Sequence, residues 1–79
     1  MKTYIYPIEV EQEGDGRWSA VVPSLAGCAT WGHTQQEAVK ALQEAIDAYI
    51  ATLRETGKPI PQPPANGEII EAPALAVVI

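Results

Sequence analysis

The sequence predicts an α+β domain with the order β-β-β-α-β, in which a small antiparallel sheet is covered on one face by one long helix. Residues 3–12 and 17–22 alternate in side-chain character around a short turn, which is typical of two half-buried strands in a hairpin. Residues 35–56 repeat apolar side chains at three- and four-residue spacing, as an amphipathic helix does. A continuous apolar run at residues 75–79 predicts a last strand.

The hairpin prediction rests on alternation and on turn chemistry. One face of the first strand carries only apolar side chains, which are Tyr4, Tyr6, Ile8 and Val10. Pro7 lacks the N–H that a strand ladder needs, which predicts a sheet edge or a bulge at that point. The turn reads EGDG, and its Asp15–Gly16 pair is a strong hairpin signal. Pro23 ends the second strand.

Two turns and a short third strand connect the hairpin to the helix. Gly27 and Gly32 bracket the predicted strand, residues 28–31, and let the backbone turn where a Cβ would clash. Thr34 and Glu37 have the spacing of a capping box. In this motif the threonine hydroxyl accepts from the glutamate N–H, and the carboxylate accepts from the threonine N–H. The helix is therefore expected to begin directly after Thr34.

The helix is predicted over residues 35–56, with Gly57 in the position that follows a helix. Its apolar stripe is centred on Val39, Leu42, Ile46, Tyr49 and Leu53, and is widened by Ala38, Ala45 and Ile50. Four prolines then predict a stiff, extended connector over residues 57–67. The end of the chain, residues 68–79, is expected to form one or two strands. Its apolar run suits burial on both faces, or addition to the sheet of another chain.

Composition limits the classes of partner. Five basic and ten acidic residues give a net charge of −5, which argues against neutralising the phosphates of a nucleic acid and suits a basic protein. One cysteine and one histidine allow neither an internal disulfide nor a tetrahedral zinc site within one chain. Oligomerisation, as a dimer or tetramer, is the remaining way to support so small a core. The absence of a signal peptide or membrane-spanning run predicts a cytoplasmic protein.

No catalytic constellation, cofactor motif or metal-ligand set is recognisable, so the chemistry indicates a binding module. Acidic residues alternate along the first strand and its turn, and form a stripe that either meets a basic partner or is merely solvated. The two tryptophans are either interface anchors or core residues. The partner-binding candidates are thus Glu9, Glu11, Glu13, Asp15, Trp18 and Trp31. His33 is expected to be an exposed turn residue, and Cys28 a small buried hydrophobic residue.

The order and spacing of these features resemble the HicB antitoxin family over residues 4–63. The shared pattern is an Asp-Gly hairpin, a Pro-x-Leu-x-Gly turn, a Gly-x-Thr-x-x-Glu-Ala helix start and a Pro-rich segment after the helix. The matching residues are Asp15, Gly16, Trp18, Ala20, Pro23, Leu25, Gly27, Cys28, Gly32, Thr34, Glu37, Ala38, Pro59, Ile60 and Pro61. Ser24 and His33 depart from it, since the family carries aspartate at the first position and often at the second.

The resemblance implies a partial RNase H-like domain without the RNase H acidic site. It also implies an antitoxin that binds a small basic HicA-like toxin, which cuts mRNA through a histidine, and occludes the toxin's active site. Many relatives append a DNA-binding domain, whereas residues 1–79 are expected to form one HicB-like domain that does not bind DNA directly. The alternatives are a solitary oligomeric domain without a toxin and a residual metal-dependent nuclease. The nuclease is disfavoured because its carboxylates would have to converge from several elements, whereas these sit on one strand and its turn.

Overall fold

The computed structural model describes residues 2–63 and 73–79 of the chain. Its elements are β1 (Thr3–Pro7), β2 (Glu9–Gln12), β3 (Trp18–Val21), β4 (Ala29–Gly32), α1 (Gln35–Glu55) and β5 (Ala74–Val78). The predicted α+β class, the single long helix and the final strand are confirmed. The first predicted strand is divided in two at Ile8. The strand suggested for residues 68–72 lies outside the described residues.

The division at Ile8 arises because the two halves of residues 3–12 pair with different strands. β1 pairs with β5, whereas β2 belongs to a three-stranded sheet of order β2-β3-β4, and every pair is antiparallel. The Ile8 N–H donates to Pro73 O at 2.9 Å, and the Glu13 N–H donates to Arg17 O at 2.6 Å. Successive amides of a strand point to opposite sides. Even-numbered amides therefore face β5 and odd-numbered amides face β3, so those two strands lie on opposite sides of residues 3–12.

This geometry explains how a strand accommodates Pro7. An odd-numbered residue directs its backbone groups toward the β3 side. The β2–β3 register begins with Glu9 opposite Val21, so β3 does not extend alongside Pro7. The missing N–H of Pro7 therefore costs no ladder hydrogen bond, and the predicted edge position of this proline is confirmed.

The core lies between α1 and the strands. The buried helix residues are Ala38, Leu42, Ile46 and Ile50, and they pack with the buried Tyr6, Ile8, Ala20, Val22, Leu25, Cys28 and Val77. Three residues predicted at the centre of the stripe, Val39, Tyr49 and Leu53, are only half-buried. The centre of the buried helix stripe therefore differs from the predicted one, because the row of side chains spaced by four residues from Ala38 to Ile50 faces the strands. No helix among the described residues is both long and apolar enough to cross a bilayer.

A close junction between β4 and α1 sets the position of the helix. At Gly32 a Cβ would lie 2.7 Å from Ala38 N and 2.8 Å from Glu37 Cβ, so only glycine fits without displacement. Both capping-box hydrogen bonds are present. The Glu37 N–H donates to Thr34 Oγ1 at 3.1 Å, and the Thr34 N–H donates to Glu37 Oε2 at 3.0 Å. The His33 N–H donates to the same carboxylate oxygen at 3.0 Å.

The segment that follows the helix is tied to β1 by two tyrosines. Gly57 has a φ of +70° and directs the chain away from the helix axis. The buried Tyr6 donates its hydroxyl to Pro61 O at 2.6 Å. Gln62 Nε2 donates to the Tyr4 hydroxyl at 3.2 Å. The described part of the connector is thus held against the domain.

The last strand, β5, differs from the expectation that it is buried on both faces. The burial pattern alternates, with Val77 buried while Ala74, Ala76 and Val78 are exposed. The strand is therefore not buried on both faces within this chain, because α1 covers only the face that carries Val77.

We expect Gly32→Ala to destabilise the protein by about 1–3 kcal/mol, since the new methyl group must push the first turn of α1 away from β4. Gly14→Ala is the matched control, because a Cβ at Gly14 meets nothing within 4 Å, and its effect should stay within about 0.5 kcal/mol. Urea unfolding of both variants measures the difference. Equal stabilities would show that the junction relaxes freely.

We expect Tyr6→Phe to lower the free energy of unfolding by about 1 kcal/mol, because Pro61 O loses a partly buried hydrogen bond. Tyr4→Phe, which removes an exposed hydrogen bond, should cost less. Burial raises the pKa of Tyr6, so above about pH 10 the unfolded chain loses this proton first and the wild-type stability falls. Tyr6→Phe should lack that part of the alkaline loss in a pH series of unfolding curves.

Candidate protein-binding site

The three-stranded sheet has one face that α1 does not cover. Residues opposite each other in neighbouring strands share a face, so the registers of β2–β3 and β3–β4 identify its members. We call this surface the outer face, and it consists of Glu9, Glu11, Ser19, Val21, Ala29 and Trp31. Ala20 lies between two of these positions in β3 and is fully buried on the opposite face, which agrees with the assignment.

Trp31 is the dominant side chain of the outer face. It is 57% exposed, whereas tryptophan is highly buried on average in folded proteins. The Arg17 guanidinium lies 5.2 Å from the centroid of the Trp31 ring, within cation–π range. The His33 ring meets the same indole edge to face, with 5.7 Å between centroids and an interplanar angle of 87°. These two neighbours hold the exposed ring in one orientation.

The β2–β3 turn positions Arg17 beside Trp31. Asp15 Oδ1 accepts from the Arg17 N–H at 3.1 Å, and Oδ2 accepts from Arg17 Nε at 2.7 Å. The Arg17 N–H, and then its guanidinium, hold the pKa of Asp15 below its ordinary value. Gly16 stands between them with a φ of +93°, a conformation that a residue with a Cβ rarely adopts. The predicted Asp-Gly turn thus also orients a side chain of the site.

Two shallow grooves meet at Trp31. One is lined by the β2–β3 turn and the outer face, with Glu13, Gly14, Asp15, Arg17, Ser19 and Trp31. The other runs toward α1 and is lined by Trp31, Gly32, His33, Glu37, Lys40, Ala41 and Glu44. The exposed indole therefore borders both depressions. This shape is suited to contact with a macromolecule rather than to enclosing a small ligand.

The structure brings five of the six partner-binding candidates together. Glu9, Glu11 and Trp31 lie on the outer face, and Glu13 and Asp15 border it. Trp18 pairs with Gln12 and Gly32, and so lies on the opposite face of the sheet. It is half-buried and packs against the core. The two tryptophans, which the sequence does not distinguish, therefore have different environments.

Sequence reasoning missed the contribution of Arg17 and undervalued that of His33. In the alternation of residues 17–22, Arg17 is an ordinary polar strand position, and its contact with Trp31 depends on the β3–β4 register. His33 is exposed, as expected, but its ring packs on Trp31 at the position where the resembling family often has aspartate. The i, i+2 spacing of Trp31 and His33 was a usable signal, because such residues share a face of a strand.

The remaining motif residues have structural positions. Gly27 has a φ of +78° in the turn before β4, and Pro23 follows Val22, whose N–H donates to Cys28 O at 3.0 Å. Cys28 is buried, and burial raises the pKa of its thiol. Within residues 2–63 and 73–79, no group of three His, Cys, Asp or Glu side chains is arranged to hold a metal ion.

Curated proteins similar to this chain include two UPF0150 proteins and one antitoxin. The Synechocystis UPF0150 protein is 39% identical over 59 residues, which are 75% of each chain. The Thermoplasma acidophilum UPF0150 protein is 36% identical over 67 residues, covering 85% of this chain and 97% of the relative. Antitoxin HicB 2 of Photorhabdus laumondii is 31% identical over 74 residues, covering 92% of this chain and 52% of that protein.

Solved structures of HicB antitoxins are also similar to this chain. The N-terminal domain of the Burkholderia pseudomallei antitoxin HicB matches with a TM-score of 0.72 and 26% identity, covering 95% of this chain and 96% of that one. A chain of the HicA3 and HicB3 toxin–antitoxin complex matches with a TM-score of 0.63 and 32% identity, covering 78% and 71%. The family model described as HicB_like antitoxin of bacterial toxin-antitoxin system matches residues 6–79. The chain therefore belongs to the HicB-like antitoxin family.

Proposed function

We propose that this protein neutralises a small basic, mRNA-cleaving HicA-like toxin by binding it through the outer face and covering its active site. It acts as a cytoplasmic binding protein, without enzymatic activity and without direct DNA binding. Family membership supports an antitoxin role. A structural relative is part of a complex of HicA3 with HicB3. The observation that carries the proposal is the exposed, oriented Trp31 on the same sheet face as the acidic side chains of β2.

Trp31 has the properties of an interface anchor. Tryptophan and arginine are the side chains most enriched among residues that dominate binding energy, and here Arg17 packs on Trp31. The indole is held by Arg17 and His33 before any partner arrives, so less side-chain entropy is lost on binding. Burying an exposed indole under a partner also removes a large apolar surface from water.

The charge around Trp31 suits a basic partner. Glu9 and Glu11 lie on the same face, Glu13 borders the groove, and Asp15 is partly neutralised by Arg17. A basic protein approaching this face is attracted at long range and oriented before contact. An acidic surface repels the RNA phosphates that the toxin itself must bind, so a covered toxin is also shielded electrostatically from its substrate.

We expect Trp31→Ala to weaken toxin binding by at least about 2 kcal/mol, or roughly 30-fold, because it removes the anchor. The toxin used is the small basic protein encoded beside this chain. Co-purification, calorimetry and an RNA-cleavage assay with and without this protein measure binding and neutralisation.

Thr52→Ala is the control for that experiment, since Thr52 is exposed on α1, which packs on the opposite face of the sheet. It should leave the affinity and the inhibition of RNA cleavage close to wild type. Undiminished binding by Trp31→Ala would place the toxin contact elsewhere. Failure of the wild-type protein to bind the toxin would favour the solitary-domain alternative.

We expect Glu11→Gln to slow association with the toxin by about threefold at low salt and to flatten its salt dependence, because long-range attraction mainly affects the association rate. Glu55→Gln removes the same charge from the last turn of α1, away from the outer face, and should have little effect. Stopped-flow association rates over a series of salt concentrations test the difference. Equal effects of the two changes would mean that only net charge matters.

We propose in addition that the protein forms a homo-oligomer, a dimer or a tetramer. A domain of this size buries only about 60% of the surface that its unfolded chain exposes. Ile5 and Val78, on neighbouring strands, are 48% and 61% exposed, and a second subunit would cover such side chains. Deleting β5 is an unsuitable test of oligomerisation, because Val77 is part of the core. Point substitutions are needed instead.

A further inference from the structure

The outer edge of β5 carries backbone groups directed away from β1. The Ile79 N–H donates to Lys2 O at 2.7 Å, and the Lys2 N–H donates to Ile79 O at 2.9 Å. The odd-numbered residues of β5 therefore direct their N–H and C=O groups toward β1, because successive amides along a strand point to opposite sides. Ala74, Ala76 and Val78 direct their N–H and C=O groups to the opposite edge.

A single side chain contacts that edge among the residues that the structure describes. Gln43 Nε2, from α1, donates to Ala76 O at 3.0 Å, and also to Asp47 Oδ1 at 3.3 Å. The other outward N–H and C=O groups of Ala74, Ala76 and Val78 have no hydrogen-bond partner within residues 2–63 and 73–79. An edge of this kind is a template for another strand.

We infer that β5 of a second copy of this chain adds to this edge in an antiparallel arrangement, with a two-fold axis at Ala76. This inference rests on the proposed self-association and assigns its location. In this register Ala76 lies opposite Ala76 of the second copy, and Ala74 lies opposite Val78. Every outward N–H and C=O of these residues then gains a partner, and the two β1–β5 sheets become one.

The composition of the edge favours a second copy over the toxin. Residues 74–78 contain no charged residue and no proline, which are the features that protect natural edge strands from pairing. Two chains that each carry a net charge of −5 repel least where neither presents a charge. A basic toxin gains no electrostatic attraction at this strand, whereas it does at the outer face. In the same contact the exposed Val78 would gain Ala74 of the second copy as its cross-strand neighbour.

Gln43 opposes this pairing. Its amide donates to Ala76 O, the acceptor at the two-fold axis, so in both copies it competes with the incoming Ala76 N–H for that oxygen. Asp47 holds the Gln43 amide in place. Gln43 thus weakens self-association and makes it reversible. Its removal should strengthen the dimer, although side-chain truncation usually weakens an interface.

The first experiment measures dimer dissociation constants by sedimentation equilibrium. Gln43→Ala should tighten the dimer by about tenfold, since one competing hydrogen bond is removed from each copy and alanine favours the helix. Val78→Lys should weaken it by about tenfold or more, since a lysine beside the edge blocks pairing. Ala51→Lys adds the same charge at an exposed position of α1 and should change little.

A cross-link tests the register. In a Cys28→Ala background, Ala76→Cys should form an intermolecular disulfide on oxidation, because opposed hydrogen-bonded residues have Cα atoms about 5.5 Å apart. Ala51→Cys should not. An oligomer that tolerates Val78→Lys and gives no Ala76→Cys cross-link would overturn the edge assignment but leave self-association standing. If wild type and Gln43→Ala both sediment as monomers, self-association and its location are both wrong, while toxin binding is judged separately by the Trp31→Ala assay.

Discussion

The domain depends on one extended run, residues 3–12, that forms backbone hydrogen bonds on both of its sides. Its even-numbered amides up to Ile8 bond the β5 side, and its odd-numbered amides from Glu9 onward bond β3. Its even-numbered side chains, including the buried Tyr6 and Ile8, form part of the core under α1. The C-terminal strand thereby joins the same structure as the hairpin, although most of the chain separates them. If the run were shifted by one residue, its apolar side chains and its amides would both point to the wrong sides.

The side chains of the same run also differ in character between the two parts of the sheet surface that α1 does not cover. Its odd-numbered side chains are apolar beside β5, at Ile5 and Pro7, and acidic beside β3, at Glu9 and Glu11. The change occurs at Ile8, where the pairing partner also changes. One surface is thus neutral and ends in the edge of β5, while the other is charged and carries Trp31 on its outermost strand, β4. Surfaces so different select partners of different charge.

Local patterns in the sequence account for most of the fold, because their physical causes are local. The alternation in residues 3–12, the capping box of Thr34 and Glu37, and the helix all involve residues within a few positions of each other. The division at Ile8 is different, because it follows from where β3 ends and where β5 begins. The displaced helix stripe likewise reflects which row of side chains faces the strands.

The candidate site was predictable only in part for the same reason. The alternation of acidic residues along the first strand predicted Glu9 and Glu11 as candidates. The sequence alone does not distinguish the exposed Trp31 from the core-packed Trp18, because that difference depends on how β4 pairs with β3. The contact of Gln43 with Ala76 spans 33 residues. No local pattern indicates it, since glutamine on a helix surface is ordinary. Contacts of this range have to be read from the structure.

The positions of the two proposed surfaces determine whether both partners can bind together. Trp31 lies on β4 and the free edge belongs to β5, at opposite ends of the strand order β5-β1/β2-β3-β4. Three strand spacings, roughly 14 Å, separate β4 from β5 across the sheet. A toxin seated on Trp31 need not displace a second copy paired at Ala76. Dimerisation would then present two toxin sites on one assembly, and the Gln43 contact would affect their number per assembly without altering the chemistry of either site.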